Sequence, residues 1–202
     1  MIDLARKLIA EQFPQYAGLP IVDVEKQGHD NRTYRLGDDM LVRMPTAEQY
    51  APRVSMEHHI LPKLASRLSF NIPVPIKIGV PSKDYPFSFS IYQYLPGTSI
   101  NLLTLSIAEV EQLALDLAKF LRELHKIVDI DRLTPDQHSD RGEHVSIYAK
   151  DAREQIAELS GLIDANQAFH LWEKACATRW NKAPVWVQGD FAIGNILMQD
   201  GK

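Results

Sequence analysis

Apolar positions along the chain recur first at helical spacing, then at strand spacing, then at helical spacing again. Leu4, Leu8, Ile9 and Phe13 fall on one face of a 3.6-residue repeat. They predict an amphipathic helix that Pro14 and the Gly18-Leu19-Pro20 cluster end. The period then shortens. Ile21 to Val24, Thr33 to Leu36 and Met40 to Met44 read as three short strands, separated by Gly28 and by Gly37-Asp38-Asp39, in an antiparallel meander. A helix is expected from Arg53 to Leu68, with Met56, Ile60, Leu61 and Leu64 on one face. Two more strands, Ile76 to Gly79 and Phe87 to Tyr92, follow an extended link through Pro73 and Pro75.

Beyond Leu95-Pro96-Gly97 the pattern is mainly helical. Ser106 and Glu109 form a capping box, and Val110, Leu113, Leu117, Leu121 and Leu124 form the apolar stripe of the helix it opens. Helices near 146–163 and 165–181 are expected, carrying Ile156, Leu159 and Ile163, then Phe169, Trp172 and Trp180. Leu133 to Glu143 reads as a polar loop, and Val185-Trp186-Val187 after Pro184 as a short buried strand. The chain thus divides into a strand-rich part, residues 1–95, and a helical part, residues 96–202, with the boundary between Leu95 and Leu102.

Composition narrows the function classes. The chain of 202 residues, 45% hydrophobic and with a formal charge of −4, has enough apolar side chains for a core and lacks the basic excess of a nonspecific nucleic-acid binder. No nucleic-acid partner and no membrane partner is expected, because no stretch approaches the roughly 20 apolar residues of a spanning helix. Asp3, Arg6, Lys7 and Glu11 interrupt the first helix, so it is no secretory leader. One cysteine, Cys176, excludes an internal disulfide and fits a cytoplasmic setting; it reads as a buried small hydrophobe. The seven histidines show no metal-ligand spacing, and the adjacent His58 and His59 point about 100° apart on a helix. Trp172 and Trp180 read as core anchors.

The chemistry-bearing segment is VWVQGDFAIGN. Asp190 and Asn195 lie five positions apart after an apolar run, the spacing of a kinase catalytic loop. A carboxylate there can orient an attacking hydroxyl, and an amide oxygen five residues on can reach a magnesium ion on nucleotide phosphates. Gly189 and Gly194 are expected to let the backbone turn on either side. The strand-rich part supplies matching pieces. Gly28 to Thr33 links the first two strands, Arg43 sits on the third, Glu57 lies in the helix after it, and Tyr92 to Leu95 ends the last strand.

With these residues in place, the sequence resembles the aminoglycoside phosphotransferase family, small-molecule kinases with a protein-kinase-like fold. The resemblance runs over nearly the whole chain and is carried by DNRTYRLGDDMLVRMP, the region of Glu57, YQYLPG, FLRELH and QGDFAIGN. It implies an α+β, two-lobed fold with a β-rich N-lobe and a mainly helical, incomplete C-lobe. It implies transfer of the γ-phosphoryl group of ATP or GTP, with Mg2+, to a hydroxyl of a small, aminoglycoside-like molecule. By the same resemblance Asp190 is the catalytic aspartate and Asn195 a magnesium ligand. Arg43 and Glu57 match the phosphate-binding cation and its partner. Asn31, Arg32 and Thr33 lie near the phosphates, and Tyr92, Gln93, Tyr94 and Leu95 near the base.

Three positions depart from the family pattern. Gln188 stands where most relatives have histidine before the loop Gly-Asp. Arg43 stands where lysine is usual, and a forked guanidinium is not equivalent to an ammonium. No Ile-Asp-Phe-Gly-like motif follows the catalytic loop before Lys202. The expectation is therefore that these residues are the N-terminal two thirds of a longer kinase, or a product unable to turn over ATP. In that case Asp200-Gly201 would turn without a returning strand, and Asn195 to Met198 would lack a neighbour. The acceptor stays open between an aminoglycoside and a macrolide, choline, homoserine or a sugar. An inactive nucleotide-binding relative is the alternative of a different class.

Overall fold

The computed structural model describes residues 1–130 and 143–199. The polar loop expected at Leu133 to Glu143 falls almost wholly outside them, as does the Asp200-Gly201 turn. The described residues divide into two compact units: those up to 130 together with 190–199, and 143–189.

In the first unit, helix α1 (Ile2–Gln12) leads into five strands: β1 (Ile21–Asp23), β2 (Asn31–Leu36), β3 (Met40–Pro45), β4 (Pro75–Gly79) and β5 (Phe89–Gln93). All pair antiparallel, in the spatial order β1-β2-β3-β5-β4. Strand alternation sorts the side chains. Tyr34 and Leu36 of β2, Val42 and Met44 of β3, and Phe89 and Ile91 of β5 turn to one face, where Ala5, Leu8, Ile9 and Phe13 cover them. That is the core, and the helical spacing read from α1 is what seals it. Tyr85 joins it as well; its hydroxyl donates to the Pro45 carbonyl (2.6 Å), and burial pushes its pKa up. Gly79 is there for close approach, since a Cβ would lie 2.1 Å from the Phe89 ring.

Helix α2 (Pro52–Ala65) starts on a proline at its first position, where no amide partner is needed. It buries Val54, Ile60 and Leu64. Ser90 and Tyr92, on the sheet face opposite the core, contact its residues His58 and Glu57. The link from α2 to β4 docks on helix α3 (Ile107–His125). Ser69 donates from both its amide and its hydroxyl to Glu123 (2.8 Å each), which holds that carboxyl below its usual range. Arg67 pairs with Asp129 just past α3.

The capping box of α3 forms as its sequence predicts: Glu109 N–H donates to Ser106 Oγ (3.3 Å), and Ser106 N–H to Glu109 Oε2 (2.7 Å). Ser106→Ala should therefore cost about 1 kcal/mol, measurable as a lower urea midpoint at unchanged m-value. Only Leu124 of the predicted α3 stripe is buried; Leu113, Leu117 and Leu121 are half-buried and Val110 is half-exposed.

The second unit departs furthest from expectation. Its helices are shorter, α4 (Ala149–Glu158) and α5 (Ala165–Ala177). A turn closed by Leu159 and Asp164 capping α5 replace the long first helix, and Thr178 is already extended. Val185 to Val187 forms no strand, because no described strand lies alongside to accept its ladder. Leu159, Ile163, Val185 and Val187 are exposed, Trp180 is 65% exposed, and Trp172 and Cys176 are only half-buried. The core-anchor reading of Trp180 and the fully buried reading of Cys176 are thus corrected. Two short helices do not make an interior large enough to enclose them.

Candidate functional site

The segment after Gly189 is shaped locally. Gly189 takes φ 78°, a region open to glycine, which turns the chain into Asp190. Gly194, by contrast, needs no such freedom, and a Cβ there would meet nothing within 4 Å. Ala192 N–H donates to the Asp190 carbonyl and Asn195 N–H to the Ala192 carbonyl (2.8 Å each), closing a 3-10 turn over Ile193–Asn195. That turn converts five-residue spacing into contact. Asn195 Nδ2 donates to Asp190 Oδ2 (3.1 Å) and to the Asp190 carbonyl (3.2 Å). With the amide nitrogen committed, the Asn195 carbonyl oxygen remains as an acceptor beside the Asp190 carboxylate.

The loop is fastened to the segment that follows β5. Strand β7 (Leu197–Met198) pairs antiparallel with β6 (Thr98–Ser99), which gives this segment a partner on one side; the expected turn at Asp200-Gly201 lies outside the described residues. Ser99 Oγ donates to the Gly194 carbonyl (3.1 Å), and Ile100 N–H to the Ile196 carbonyl (3.1 Å). Phe191 meets Phe120 of α3 edge-on (5.7 Å between ring centres), and Phe120 meets Phe70 in the same way (5.8 Å). Asp190 and Asn195 themselves stay exposed.

A second cluster sits on the face of β3 and β5 away from the core. Arg43 lies opposite Thr33 on one side and Ser90 on the other. Its guanidinium is 3.7 Å from Glu57 Oε2, an ion contact longer than a hydrogen bond. Asn31 and Thr33 alternate to the face of Arg43, whereas Arg32 turns to the opposite face and donates to the Gly28 carbonyl (3.1 Å). The β1–β2 loop has no glycine run; side chains fold it instead. Gln27 exchanges two 2.8 Å hydrogen bonds with the backbone of Thr33, Thr46 Oγ donates to the His29 and Asp30 carbonyls, and Arg53 pairs with Asp30 (2.5 Å).

At the end of β5, Gln93 N–H donates to the Val74 carbonyl (3.0 Å) and Tyr94 N–H to the Asp39 carbonyl (2.8 Å). The Tyr94 ring lies under the Arg35 guanidinium, 3.4 Å from its centre. The backbone amides of Gln93 and Tyr94 are thus committed within the protein.

Tyr92, expected from the family resemblance to lie near the base, makes a contact with Glu57 that the sequence did not disclose. It is 1% exposed, its hydroxyl donates to Glu57 Oε2, and Arg43 lies 5.1 Å from its ring centre. Burial, reinforced by the Glu57 charge, raises its pKa, so the phenol stays a proton donor at any physiological pH. Only the strand register, which places Tyr92 across from Leu41 and two residues from Ser90, would have pointed to it. Behind it, Ser90 Oγ hydrogen-bonds His58 Nε2 (3.1 Å), and desolvation lowers the His58 pKa.

Among the described residues there is no group of three or more His, Cys, Asp and Glu side chains placed to hold a metal, and no helix long and apolar enough to cross a membrane.

Comparison with known proteins converges on one family. Residues 25–202 match the model of the phosphotransferase enzyme family APH. No curated protein matches. Among solved structures, the chain is similar to the GDP complex of wild-type aminoglycoside 2'-phosphotransferase-IIIa, at 20% identity and a TM-score of 0.68 over 98% of this chain and 67% of that one. It is similar to APH(2")-IIa in its streptomycin–ATP ternary complex, at 21% identity and a TM-score of 0.61 over 100% of this chain and 68% of that one. It is similar to macrolide 2'-phosphotransferase MphH from Brachybacterium faecium, at 19% identity and a TM-score of 0.63 over 99% of this chain and 69% of that one. The chain spans about two thirds of the length of these proteins and shares their α+β fold, with the five-stranded antiparallel sheet preceding the helices. With a sheet of this order, a turn that joins Asp190 to Asn195, and a family match over most of its length, the chain belongs to the phosphotransferase enzyme family.

Proposed function

We propose that this chain carries the nucleotide-binding and catalytic-loop portions of a cytoplasmic small-molecule kinase. It would move the γ-phosphoryl group of ATP or GTP to a hydroxyl of an aminoglycoside-like acceptor. The observation that carries the reading is the Asp190–Asn195 contact, 3.1 Å between Nδ2 and Oδ2. One side chain is kept as a carboxylate acceptor, and the other is oriented so that its oxygen is the end left over.

In this reading Asp190 accepts a hydrogen bond from the incoming hydroxyl and aims its oxygen at the γ-phosphorus. The loop's attachment to residues 98–100 fixes that position, and rigid placement of this kind is most of what a phosphoryl-transfer enzyme supplies. Arg43, oriented by Glu57, balances the charge of the nucleotide phosphates. Asn31 and Thr33 border them on the same sheet face, and Arg32, on the opposite face, fastens the preceding loop through the Gly28 carbonyl. The base lies against residues 93–95, with the Leu95 amide as donor because those of Gln93 and Tyr94 are already used. The strand-rich lobe, residues 1–95, then serves the nucleotide, and residues 96–202 contribute the catalytic loop. The oxygen donors of Asn195 and Asp190 suit a hard divalent cation such as Mg2+. Mg2+ bound there would offset charge on the transferred group.

The nearest alternative changes only the acceptor, and the similarity to a macrolide 2'-phosphotransferase favours it. A nucleotide-dependent phosphorylation screen with the intact reading frame, over aminoglycosides, macrolides and smaller hydroxylated metabolites, decides between them; no transfer to any of these would overturn the proposal. Nucleotide binding is tested separately. ATP or GTP with magnesium at a hundredfold excess over Kd should stabilise the fold by about 2.7 kcal/mol, raising the melting temperature by roughly 5–10 °C. An unmoved transition with both nucleotides would remove the basis of the assignment.

A further inference from the structure

Glu57 is held by two groups of different strength at one atom. Oε2 accepts a hydrogen bond from the Tyr92 hydroxyl, while the Arg43 guanidinium stands off at 3.7 Å. An arginine beside a free carboxylate normally closes into a two-pronged pair with short, parallel hydrogen bonds. Here it does not, although both side chains are only partly exposed, 32% for Arg43 and 25% for Glu57. The difference is Tyr92. Its ring packs beside the guanidinium and its hydroxyl occupies the carboxylate oxygen that faces it. Ser90, 1% exposed and two residues before Tyr92 on the same face of β5, is bonded to His58 of α2. Two hydroxyls of β5 thus fasten the strand to α2, one at His58 and one at the Glu57 carboxylate.

We infer that Tyr92 is a positioning residue for the anion site at Arg43: by holding Glu57 Oε2 it keeps the ion pair open, so that the guanidinium donors remain available to the nucleotide's phosphates. The inference rests on the assignment of Arg43 to phosphate, and it adds the device that keeps Arg43 unspent. Without the phenol, Glu57 closes on Arg43, and a phosphate must then break that pair before it binds.

The test is Tyr92→Phe in the full chain, which removes the hydroxyl and keeps the ring. Binding is measured by calorimetry for ATP and GTP with magnesium, for inorganic tripolyphosphate, and for adenosine and guanosine as phosphate-free probes. The two triphosphates and tripolyphosphate should bind about tenfold more weakly, the worth of one hydrogen bond to a charged group, while the nucleosides bind as before. Glu57→Gln added to Tyr92→Phe should restore triphosphate binding, since a neutral amide does not capture Arg43. Tyr92→Met, which also removes the hydroxyl, should give the same selective loss, which keeps the test open should Tyr92→Phe fail to fold. Equal losses for nucleosides and triphosphates, no loss at all, or no recovery in the double variant would each overturn the inference. Wild-type protein that binds neither triphosphates nor tripolyphosphate would overturn the phosphate assignment itself, an outcome distinct from the other three.

Discussion

Asp190→Asn should lower phosphoryl transfer by about 10²–10⁴-fold, the usual contribution of a positioned acid–base group, while nucleotide affinity stays at the wild-type level. The substitution is chosen for what it preserves. An asparagine at 190 still offers Oδ1 to the Asn195 amide, and the backbone bonds from Ala192 and Asn195 do not involve the side chain. The turn should therefore keep its shape and lose only the negative charge. The measurement pairs steady-state transfer to the best acceptor, by the protein of the intact reading frame, with nucleotide titration by calorimetry. Turnover near the wild-type level would show that the carboxylate does not serve the incoming hydroxyl.

Phe89→Ala should be the most costly single truncation in the sheet, at about 3–5 kcal/mol. Phe89 is fully buried at the middle of the core. It meets Phe13, just past α1, edge-on at 6.1 Å and Tyr85 at 6.2 Å, and it packs against Gly79 of the neighbouring strand. None of these partners can follow a shrinking side chain. Phe13 is fixed at the end of α1, Tyr85 is tethered to Pro45, and Gly79 has no side chain to offer. The cavity consequently stays open. The melting temperature should fall by roughly 10 °C, with the denaturant m-value unchanged. A loss of about 0.5 kcal/mol or less, typical of exposed positions, would remove Phe89 from the core.

What the sequence disclosed follows from which forces act locally. Strict alternation at Val42 and Met44 and helical spacing at Leu8 and Ile9 are short-range patterns, and both mark the buried face. The Ser106–Glu109 box is likewise complete within four residues. Asp190 and Asn195 were legible because one turn joins them. The Arg43–Glu57 contact was legible only through family resemblance, since it depends on how α2 meets the sheet. The Tyr92–Glu57 contact was missed for a related reason: the tyrosine's residue type fits an ordinary packing position, and its partner lies 35 positions away. The second unit misled because apolar residues such as Ile163, Val187 and Trp180 signal burial whether or not enough chain is at hand to bury them. Val185 to Val187 has the composition of a strand, yet a strand exists only where another backbone completes its hydrogen bonds.

The ribbon of β6 and β7 has a consequence for the order of assembly. Thr98 meets Met198 across a hundred positions of chain, whereas the large sheet grows from closer pairings. Closing long loops costs more entropy, and contacts of long sequence separation form slowly. The sheet should therefore be in place first and the ribbon should zip up last, carrying the 190–195 turn with it. Competence for chemistry would then be acquired at the final stage of maturation, later than the capacity to hold a nucleotide.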